Sequence, residues 1–278
     1  MENDPAPSAV EEPALSETNG PGSRWRVVGA AAPGTSHTRV GLPCQDALVY
    51  QAGENSLLVA LSDGAGTAER SQSGAQAAVQ AALASLTISL DGSLPVDQAA
   101  WQEALCAAFV DARSALQSLA EFEQQPLRAY AATLILAIAT ADRLAVAQLG
   151  DGAVVAGESP DQLFLVNRPQ RGEYANETYF LTQEDALEHV QVSVNERAVN
   201  SLAVMSDGLT RLALRLPAQV PYLPFFQPLF AFATHAEEEQ IAAGHLLEFL
   251  NSERVCDRTD DDKSLVLAVR LPDLEPGP

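Results

Sequence analysis

The chain has 278 residues, 47% of them hydrophobic, so it can bury a large core. Its formal net charge is -21 at pH 7, and a field of that sign repels polyanions, so we expect no binding to nucleic acid or to an anionic membrane surface. The longest apolar run, near residues 133–141, is too short to cross a bilayer, and no basic stretch followed by an apolar one stands at the N-terminus. We therefore expect neither membrane insertion nor secretion.

The two ends of the chain differ in composition from the rest. Residues 1–23 are rich in Pro, Glu, Ser, Asn and Gly and offer little apolar surface, which predicts a disordered leader. Residues 272–278 predict a flexible tail, so a single folded domain is expected over residues 24–271. The three cysteines are far apart and lack CxxC spacing, which is typical of a reduced, cytoplasmic protein.

In the first half of the domain, strands precede a pair of helices. Short runs rich in Val, Leu and Ala, bounded by turn residues, predict strands over residues 25–31, 47–51 and 57–62. Apolar residues at spacings of three and four then predict amphipathic helices over residues 71–88 and around residues 101–119. Asp97 precedes the second helix and is its expected N-cap.

After Pro126 the sequence again favours strands. The predicted strands are residues 133–139, 144–149, 152–155, 163–166, 179–181, 190–194 and 202–205. One helix over residues 236–250 precedes a last strand over residues 264–270. Because strands come in clusters, the alternation of a parallel βαβ sheet is missing, and an antiparallel α+β domain is favoured.

Carboxylates recur where predicted strands begin or end. An Asp-Gly pair follows an apolar strand three times, at residues 63–64, 151–152 and 207–208. A single such pair is more often a hairpin turn than a ligand. Asp46 and the acidic run 260–262 also adjoin strands, and strands that end close together can hold several carboxylates whose repulsion cations offset. This pattern predicts a site for Mg²⁺ or Mn²⁺.

Glycine beside aspartate has a chemical use at such a site. Without a Cβ atom the backbone can approach an ion closely, so the Gly64 carbonyl could itself be a ligand. Two cations about 3.5–4 Å apart lower the pKa of a bridging water and neutralise charge on a phosphoryl group. The expected chemistry is hydrolysis without a protein nucleophile.

The segments that carry these residues have a distinctive order along the chain. They are Cys44-Gln45-Asp46-Ala47, Ser62-Asp63-Gly64-Ala65-Gly66, Gly150-Asp151-Gly152, Ser206-Asp207-Gly208-Leu209 and Asp261-Asp262-Lys263-Ser264. In order and spacing they resemble the motifs of the protein phosphatase 2C family, in a divergent bacterial branch. The resemblance implies a four-layer α-β-β-α sandwich of two antiparallel sheets flanked by helices. It also implies removal of phosphate from phosphoserine and phosphothreonine with two ions of Mn²⁺ or Mg²⁺.

The resemblance also implies a role for each residue. Asp63 would bridge both metals, the Gly64 carbonyl would bind one of them, and Asp207 and Asp261 would hold the other. Asp46 would accept hydrogen bonds from metal-bound water, so the catalytic set would be Asp46, Asp63 and Asp207. In contrast, residue 151 would brace the strand turn rather than touch metal.

The sequence departs from the family pattern at three positions. Gly41 stands where relatives have the arginine that grips substrate phosphate, and His37 or Arg39 could take over that contact. Gln45 stands where many relatives have a glutamate, and Arg211 replaces an aspartate that many bacterial members use for a third metal. A third metal ion is therefore not expected.

The leading hypothesis is a cytoplasmic, metal-dependent protein phosphatase whose substrate is a phosphorylated protein, with a Ser/Thr kinase as a further partner. The first alternative is a non-catalytic binding or regulatory module of the same fold, which the three departures motivate. Against it, a scaffold has no physical need for the converging charges of Asp63, Asp207 and Asp261. The second alternative is a two-metal hydrolase of phosphodiesters or of small phosphorylated metabolites.

Overall fold

A computed structural model of the chain describes residues 24–54, 56–170 and 178–272. The predicted leader, and all of the predicted tail except residue 272, lie outside these residues. The family-like sandwich expected from the sequence is present: two five-stranded antiparallel sheets pack face to face and carry helices on their outer faces.

The strands divide between the two sheets as follows. Sheet 1 has the order β1-β12-β9-β6-β7, and its strands are β1 Trp25–Ala32, β6 Ala153–Gly157, β7 Leu163–Leu165, β9 Ser201–Met205 and β12 Lys263–Arg270. Sheet 2 has the order β2-β3-β4-β5-β8, and its strands are β2 Ala47–Ala52, β3 Ser56–Ser62, β4 Leu134–Thr140, β5 Leu144–Leu149 and β8 Gln191–Asn195. A separate hairpin pairs β10 Leu214–Arg215 with β11 Val220–Pro221.

Seven α-helices complete the described part of the chain. They are α1 Thr35–Val40, α2 Ser71–Leu90, α3 Gln98–Phe122, α4 Thr210–Ala213, α5 Leu223–His235, α6 Glu239–Leu250 and α7 Glu253–Cys256. Helices α2 and α3 pack on the outer face of sheet 2, and α5 and α6 pack on the outer face of sheet 1. Asp97 caps α3 as predicted, because its side chain accepts a hydrogen bond of 2.9 Å from the Ala100 amide.

Strand β4 shows why the sequence favours this layering. All seven of its residues are buried, with Leu134, Leu136 and Ile138 facing the helices and Ile135 and Ala137 facing sheet 1. Side chains alternate between the faces of a strand, so an unbroken apolar run fits a sheet that is covered on both sides. None of the described helices is long and apolar enough to cross a bilayer.

Two sequence predictions differ from the structure. The helix predicted over residues 236–250 begins at Glu239, and α5 precedes it without having been predicted. Pro224 lies in the first turn of α5 and Pro228 inside it, and these prolines obscure its helical pattern. The strand predicted over residues 179–181 is absent, because the Leu181 amide binds the Ala132 carbonyl in an isolated contact of 2.9 Å rather than in a ladder.

Candidate active site

One end of the sandwich gathers the acidic residues. In sheet 1, Ala153 pairs with Met205 and Met205 pairs with Leu265. The start of β6, the end of β9 and the start of β12 therefore lie side by side at one end of the sheet. In sheet 2, Ala47 pairs with Ser62, which puts the start of β2 beside the end of β3. Asp63 follows β3 of sheet 2 and Asp207 follows β9 of sheet 1, and their carboxylates lie within 4.8 Å of each other, so these loops of the two sheets lie at the same end of the molecule.

Three carboxylates meet closely at that end. Oxygens of Asp63, Asp151 and Asp207 all lie within 4.8 Å of one another, and each of these side chains is half-buried. Asp151, for which the family resemblance implied a turn-bracing role, lies within this group. The turn itself explains the placement: Gly150 has φ +118°, and a Cβ atom there would lie 2.6 Å from the Thr133 side chain, so the loop folds tightly and brings Asp151 to the cluster.

The remaining predicted carboxylates lie around this cluster. Asp46 is 8% exposed, and its charge is among the causes that raise the pKa of Asp63. Asp261 is exposed at the rim of a cavity that Asp151 and Asp207 also line. The five aspartates from distant parts of the sequence therefore share one site, with three in mutual contact range and two beside them.

Mutual repulsion in this cluster is strong. Burial, followed by the charge of Asp46, raises the pKa of Asp63 well above its ordinary value. Burial also raises the pKa of Asp46 to about 7, with Asp262 as the next cause, and that of Asp207 to about 7, with Asp151 as the next cause. Like charges in a poorly solvated site favour protonation unless cations neutralise them.

Asp46 provides an independent indication that a cation or its water belongs here. Neither of its carboxylate oxygens makes a hydrogen bond of normal geometry to a described residue, although the nearby Ser206 and Ser264 hydroxyls stabilise its charge and lower its pKa against the effect of burial. Burying a charged carboxylate without partners costs roughly several kcal/mol of folding free energy unless a positive charge or a bound water interacts with it. Oxygen-rich sites of this kind fit hard divalent cations such as Mg²⁺ and Mn²⁺.

The backbone around Gly64 leaves its carbonyl available. The neighbouring groups bind the chain opposite, with the Thr133 amide donating to the Asp63 carbonyl at 2.8 Å and the Ala65 amide to the Ala131 carbonyl at 2.9 Å. The Gly64 carbonyl accepts no hydrogen bond from the described residues. A Cβ atom on Gly64 would lie 2.6 Å from the Gln45 carbonyl, so glycine is required for the loop that contains Asp46 to pack here.

The loop that holds His37 is tied to the start of β12 by Asp262. One carboxylate oxygen of Asp262 lies 2.8 Å from His37 Nδ1 and accepts a hydrogen bond of 2.6 Å from the Gly34 amide. The other accepts a hydrogen bond of 2.6 Å from the Gln45 amide. Since a carboxylate only accepts hydrogen bonds, we assign the ring proton of His37 to Nδ1. The other ring nitrogen, Nε2, is directed toward Gly66, and a Cβ atom on Gly66 would lie 3.7 Å from it.

The two predicted phosphate-binding residues differ in placement. His37 is 12% exposed and fixed beside the acidic site, whereas Arg39 is exposed and makes no side-chain hydrogen bond or ion pair within the described parts of the chain. Gly41, which stands at the family's arginine position, has φ +73° and ends α1, a conformation that favours glycine. The sequence placed Asp262 in the acidic run 260–262 but assigned it no role of its own, and the structure shows that it binds the His37 loop.

Comparison with known proteins places this site in a family. The family model described as Protein phosphatase 2C matches residues 33–251, a range that includes Asp46, Asp63, Asp151 and Asp207 and ends before Asp261. The chain is similar to Serine/threonine-protein phosphatase 3 of Escherichia coli (strain K12), with 35% identity over 253 residues covering 88% of this chain and 98% of that protein.

Solved structures show the same fold. A bacterial serine phosphatase superposes with a TM-score of 0.61 at 15% identity, covering 90% of this chain and 99% of the other. The serine/threonine phosphatase PstP/Ppp of Mycobacterium tuberculosis superposes with a TM-score of 0.58 at 16% identity, covering 89% and 99%. With the family match extending over most of the domain, this chain belongs to the protein phosphatase 2C family.

Proposed function

We propose that the chain is a metal-dependent phosphatase that removes phosphate from phosphoserine and phosphothreonine residues of proteins. The single observation that carries the proposal is the convergence of Asp63, Asp151 and Asp207 within 4.8 Å beside the buried carboxylate of Asp46. Family membership and the E. coli relative, a protein named as a serine/threonine phosphatase, support the same reaction.

In this proposal, two ions of Mn²⁺ or Mg²⁺ are held by Asp63, the Gly64 carbonyl, Asp207 and Asp261. When bound, they would supply positive charge to the substrate phosphate and lower the pKa of the attacking water. The half-buried setting of the carboxylates limits water around the reacting group and strengthens each electrostatic contact.

The protein's own groups then orient the reactants. Asp46, buried beside Asp63, would accept a hydrogen bond from the attacking water and so fix its direction. His37, held by Asp262, would donate from Nε2 to a phosphate oxygen when the ring carries both protons, and Arg39 on α1 would add a second contact.

The substrate class also indicates partners and a compartment. A protein substrate phosphorylated on serine or threonine requires a Ser/Thr kinase to produce it, so we propose such a kinase as a functional partner. The three cysteines, Cys44, Cys106 and Cys256, are all free thiols, which supports a reducing, cytoplasmic setting.

A direct test measures phosphate release from a phosphothreonine peptide with Mn²⁺, with Mg²⁺ and with EDTA. Wild type is expected to turn over only with metal, and Asp207→Asn is expected to lose at least about 100-fold in kcat because it removes a charged ligand from the cluster. Asp185→Asn is the matched control, since Asp185 is an exposed aspartate paired only with His189 on the surface.

The same assay separates the alternatives. Faster hydrolysis of a phosphodiester or of a small phosphorylated metabolite than of the peptide would favour the small-substrate hydrolase. Manganese binding without turnover of any substrate would favour the non-catalytic module, for which Gly41 and the uncontacted Arg39 are the structural argument.

A further inference from the structure

A cavity of about 360 Å³ lies beside the aspartate cluster and contains two arginines. Four aspartates line it, with Asp151, Asp207 and Asp261 on the side of the cluster and Asp260 next to Asp261. Arg211, from α4, and Arg258, which follows α7, also line it. Opposite charges therefore border one small space, although the protein as a whole is strongly acidic.

The cavity has walls that differ from those of the His37 loop, although its lining residue Asp260 accepts hydrogen bonds from Ser36 beside His37. Within the described residues, its lining contains Asp207 and Asp261 but not Asp63, Asp46 or His37. One wall comes from α4 and the β10–β11 hairpin, and the other from residues 258–261, which lead into β12. A group bound between these walls would lie next to the proposed phosphate position and outside it.

Both guanidinium groups are available to bind a ligand. Arg211 and Arg258 are exposed, and neither makes a side-chain hydrogen bond or ion pair to any residue in the described ranges. Arg211 follows Asp207 by four residues, yet the two side chains form no ion pair. In contrast, Arg70 and Arg197 are paired with glutamates at 2.6 Å and 2.8 Å.

The chemistry of arginine limits what such a site would take. A guanidinium has several donors in a planar fork that matches a carboxylate or a phosphate group. The remaining lining includes Thr259 and Gln219, which can donate further hydrogen bonds to an anion, and Leu214 and Leu216, which can contact the aliphatic part of a side chain.

We propose that Arg211 and Arg258 form a secondary anion site that receives a negatively charged group of the substrate polypeptide next to the phosphorylated residue. The proposal rests on the proposed function and adds substrate selectivity to it. Phosphoserine or phosphothreonine flanked by glutamate, aspartate or a second phosphorylated residue would be preferred. The site would also offset locally the repulsion that a protein of charge -21 exerts on an acidic substrate.

The test compares three phosphothreonine peptides of equal length, flanked by glutamate, by phosphoserine or by glutamine, together with p-nitrophenyl phosphate. We expect wild type to favour the two charged peptides by about tenfold in kcat/KM, equivalent to about 1.4 kcal/mol. The double variant Arg211→Gln/Arg258→Gln should lose this preference through a raised KM, with p-nitrophenyl phosphate and the neutral peptide unchanged. The glutamate and phosphoserine arms show which anion is taken.

Arg254→Gln is the matched control, because Arg254 is an exposed arginine of α7 that does not line the cavity. It should keep the preference of wild type, and urea unfolding should show that all variants remain folded. Equal loss by the double variant on every substrate would mean that the arginines hold the hydrolysed phosphate or the fold, and would overturn the proposal. An unchanged preference in the double variant would overturn it as well.

Binding provides a readout that does not depend on turnover. Fluorescence anisotropy of a labelled, unphosphorylated glutamate-rich peptide should show weaker binding to the double variant than to wild type or Arg254→Gln, and equal binding would contradict the anion site. If wild type hydrolysed nothing while this difference persisted, the proposed function would fail and the anion site would stand.

Discussion

His37 Nδ1 lies 2.8 Å from a carboxylate oxygen of Asp262, a residue that is only 2% exposed. The same carboxylate receives the backbone amides of Gly34 and Gln45, each at 2.6 Å. One side chain at the start of β12 therefore fixes the loop that carries His37 and Asp46. Within the acidic run 260–262, adjacent residues have different roles. Asp261 faces the cavity, and Asp262 positions the neighbouring loop.

Replacing Asp262 with asparagine should destabilise the protein. The asparagine amide has one acceptor oxygen where the carboxylate has two. At least one buried backbone amide would therefore face the side-chain NH₂ group, which is also a donor, and would lose its hydrogen bond. An unsatisfied buried donor costs about 1–3 kcal/mol, and we expect a loss near 2 kcal/mol in the free energy of unfolding, measured by urea denaturation. Turnover should fall as well, because His37 would lose its orientation.

The surface pair of His189 and Asp185 provides the comparison for this experiment. It joins the same residue types at 3.1 Å, but it is exposed and lies four residues apart on one turn of chain. Asp185→Asn should leave both stability and turnover close to wild type, since exposed pairs contribute little. Equal effects of the two substitutions would show that Asp262 has no special positioning role.

Gly208→Ala should damage both folding and activity. A Cβ atom on Gly208 would lie 2.0 Å from the Asp262 carbonyl oxygen, and a backbone atom cannot move aside as a flexible side chain can. Overpacking of this kind costs about 3 kcal/mol, and the displaced loop carries Asp207.

Gly244→Ala in α6 is the opposite case. Apart from the neighbouring backbone of its own helix, no atom lies within 4 Å of the added methyl group, so we expect the free energy of unfolding to increase by about 0.5–1 kcal/mol. Thermal unfolding of the two variants checks both signs.

The sequence predicted the layers of the fold better than the details of the site. Apolar runs such as Leu144–Leu149 matched strands because sheets buried on both faces need them. Asp63, Asp151 and Asp207 share one local pattern, an aspartate between a strand and a glycine, so only the family resemblance distinguished the expected role of Asp151 from those of the other two. Asp151 was assigned to the turn, since only the fold shows that its loop closes onto the other two. The hydrogen bonds of Asp262 join residues more than 200 positions apart, and no local pattern encodes them.

Asp151→Asn should weaken metal binding while preserving the fold. Its carboxylate lies with those of Asp63 and Asp207, so removing the charge lowers the attraction for a divalent cation. We expect the manganese concentration for half-maximal turnover to rise about tenfold, with little change in kcat at saturating metal. Glu158→Gln, at an exposed pair with Arg197 just after β6, is a suitable control. Unchanged manganese dependence in Asp151→Asn would return Asp151 to a purely structural role.

The clustered carboxylates also predict how stability depends on pH. Burial and mutual repulsion raise the pKa of Asp63, and they raise those of Asp46 and Asp207 to about 7, from an unfolded value of 3.8. Between pH 4 and 7 the folded, metal-free protein therefore holds protons that the unfolded chain has released. Its free energy of unfolding should fall as pH rises through this window, by up to about 1.4 kcal/mol per pH unit for each proton held.

Urea denaturation at pH 5, 6, 7 and 8, in EDTA and in Mn²⁺, measures this dependence. In EDTA the stability should decline between pH 5 and 7, whereas the stabilisation added by Mn²⁺ should grow with pH, because the cation competes with protons for the same oxygens. Asp207→Asn removes one of the raised groups, so its decline in EDTA should be shallower than that of wild type. A metal-free protein that became more stable between pH 5 and 7, or a variant with the same slope as wild type, would contradict the repulsion that is assigned to this cluster.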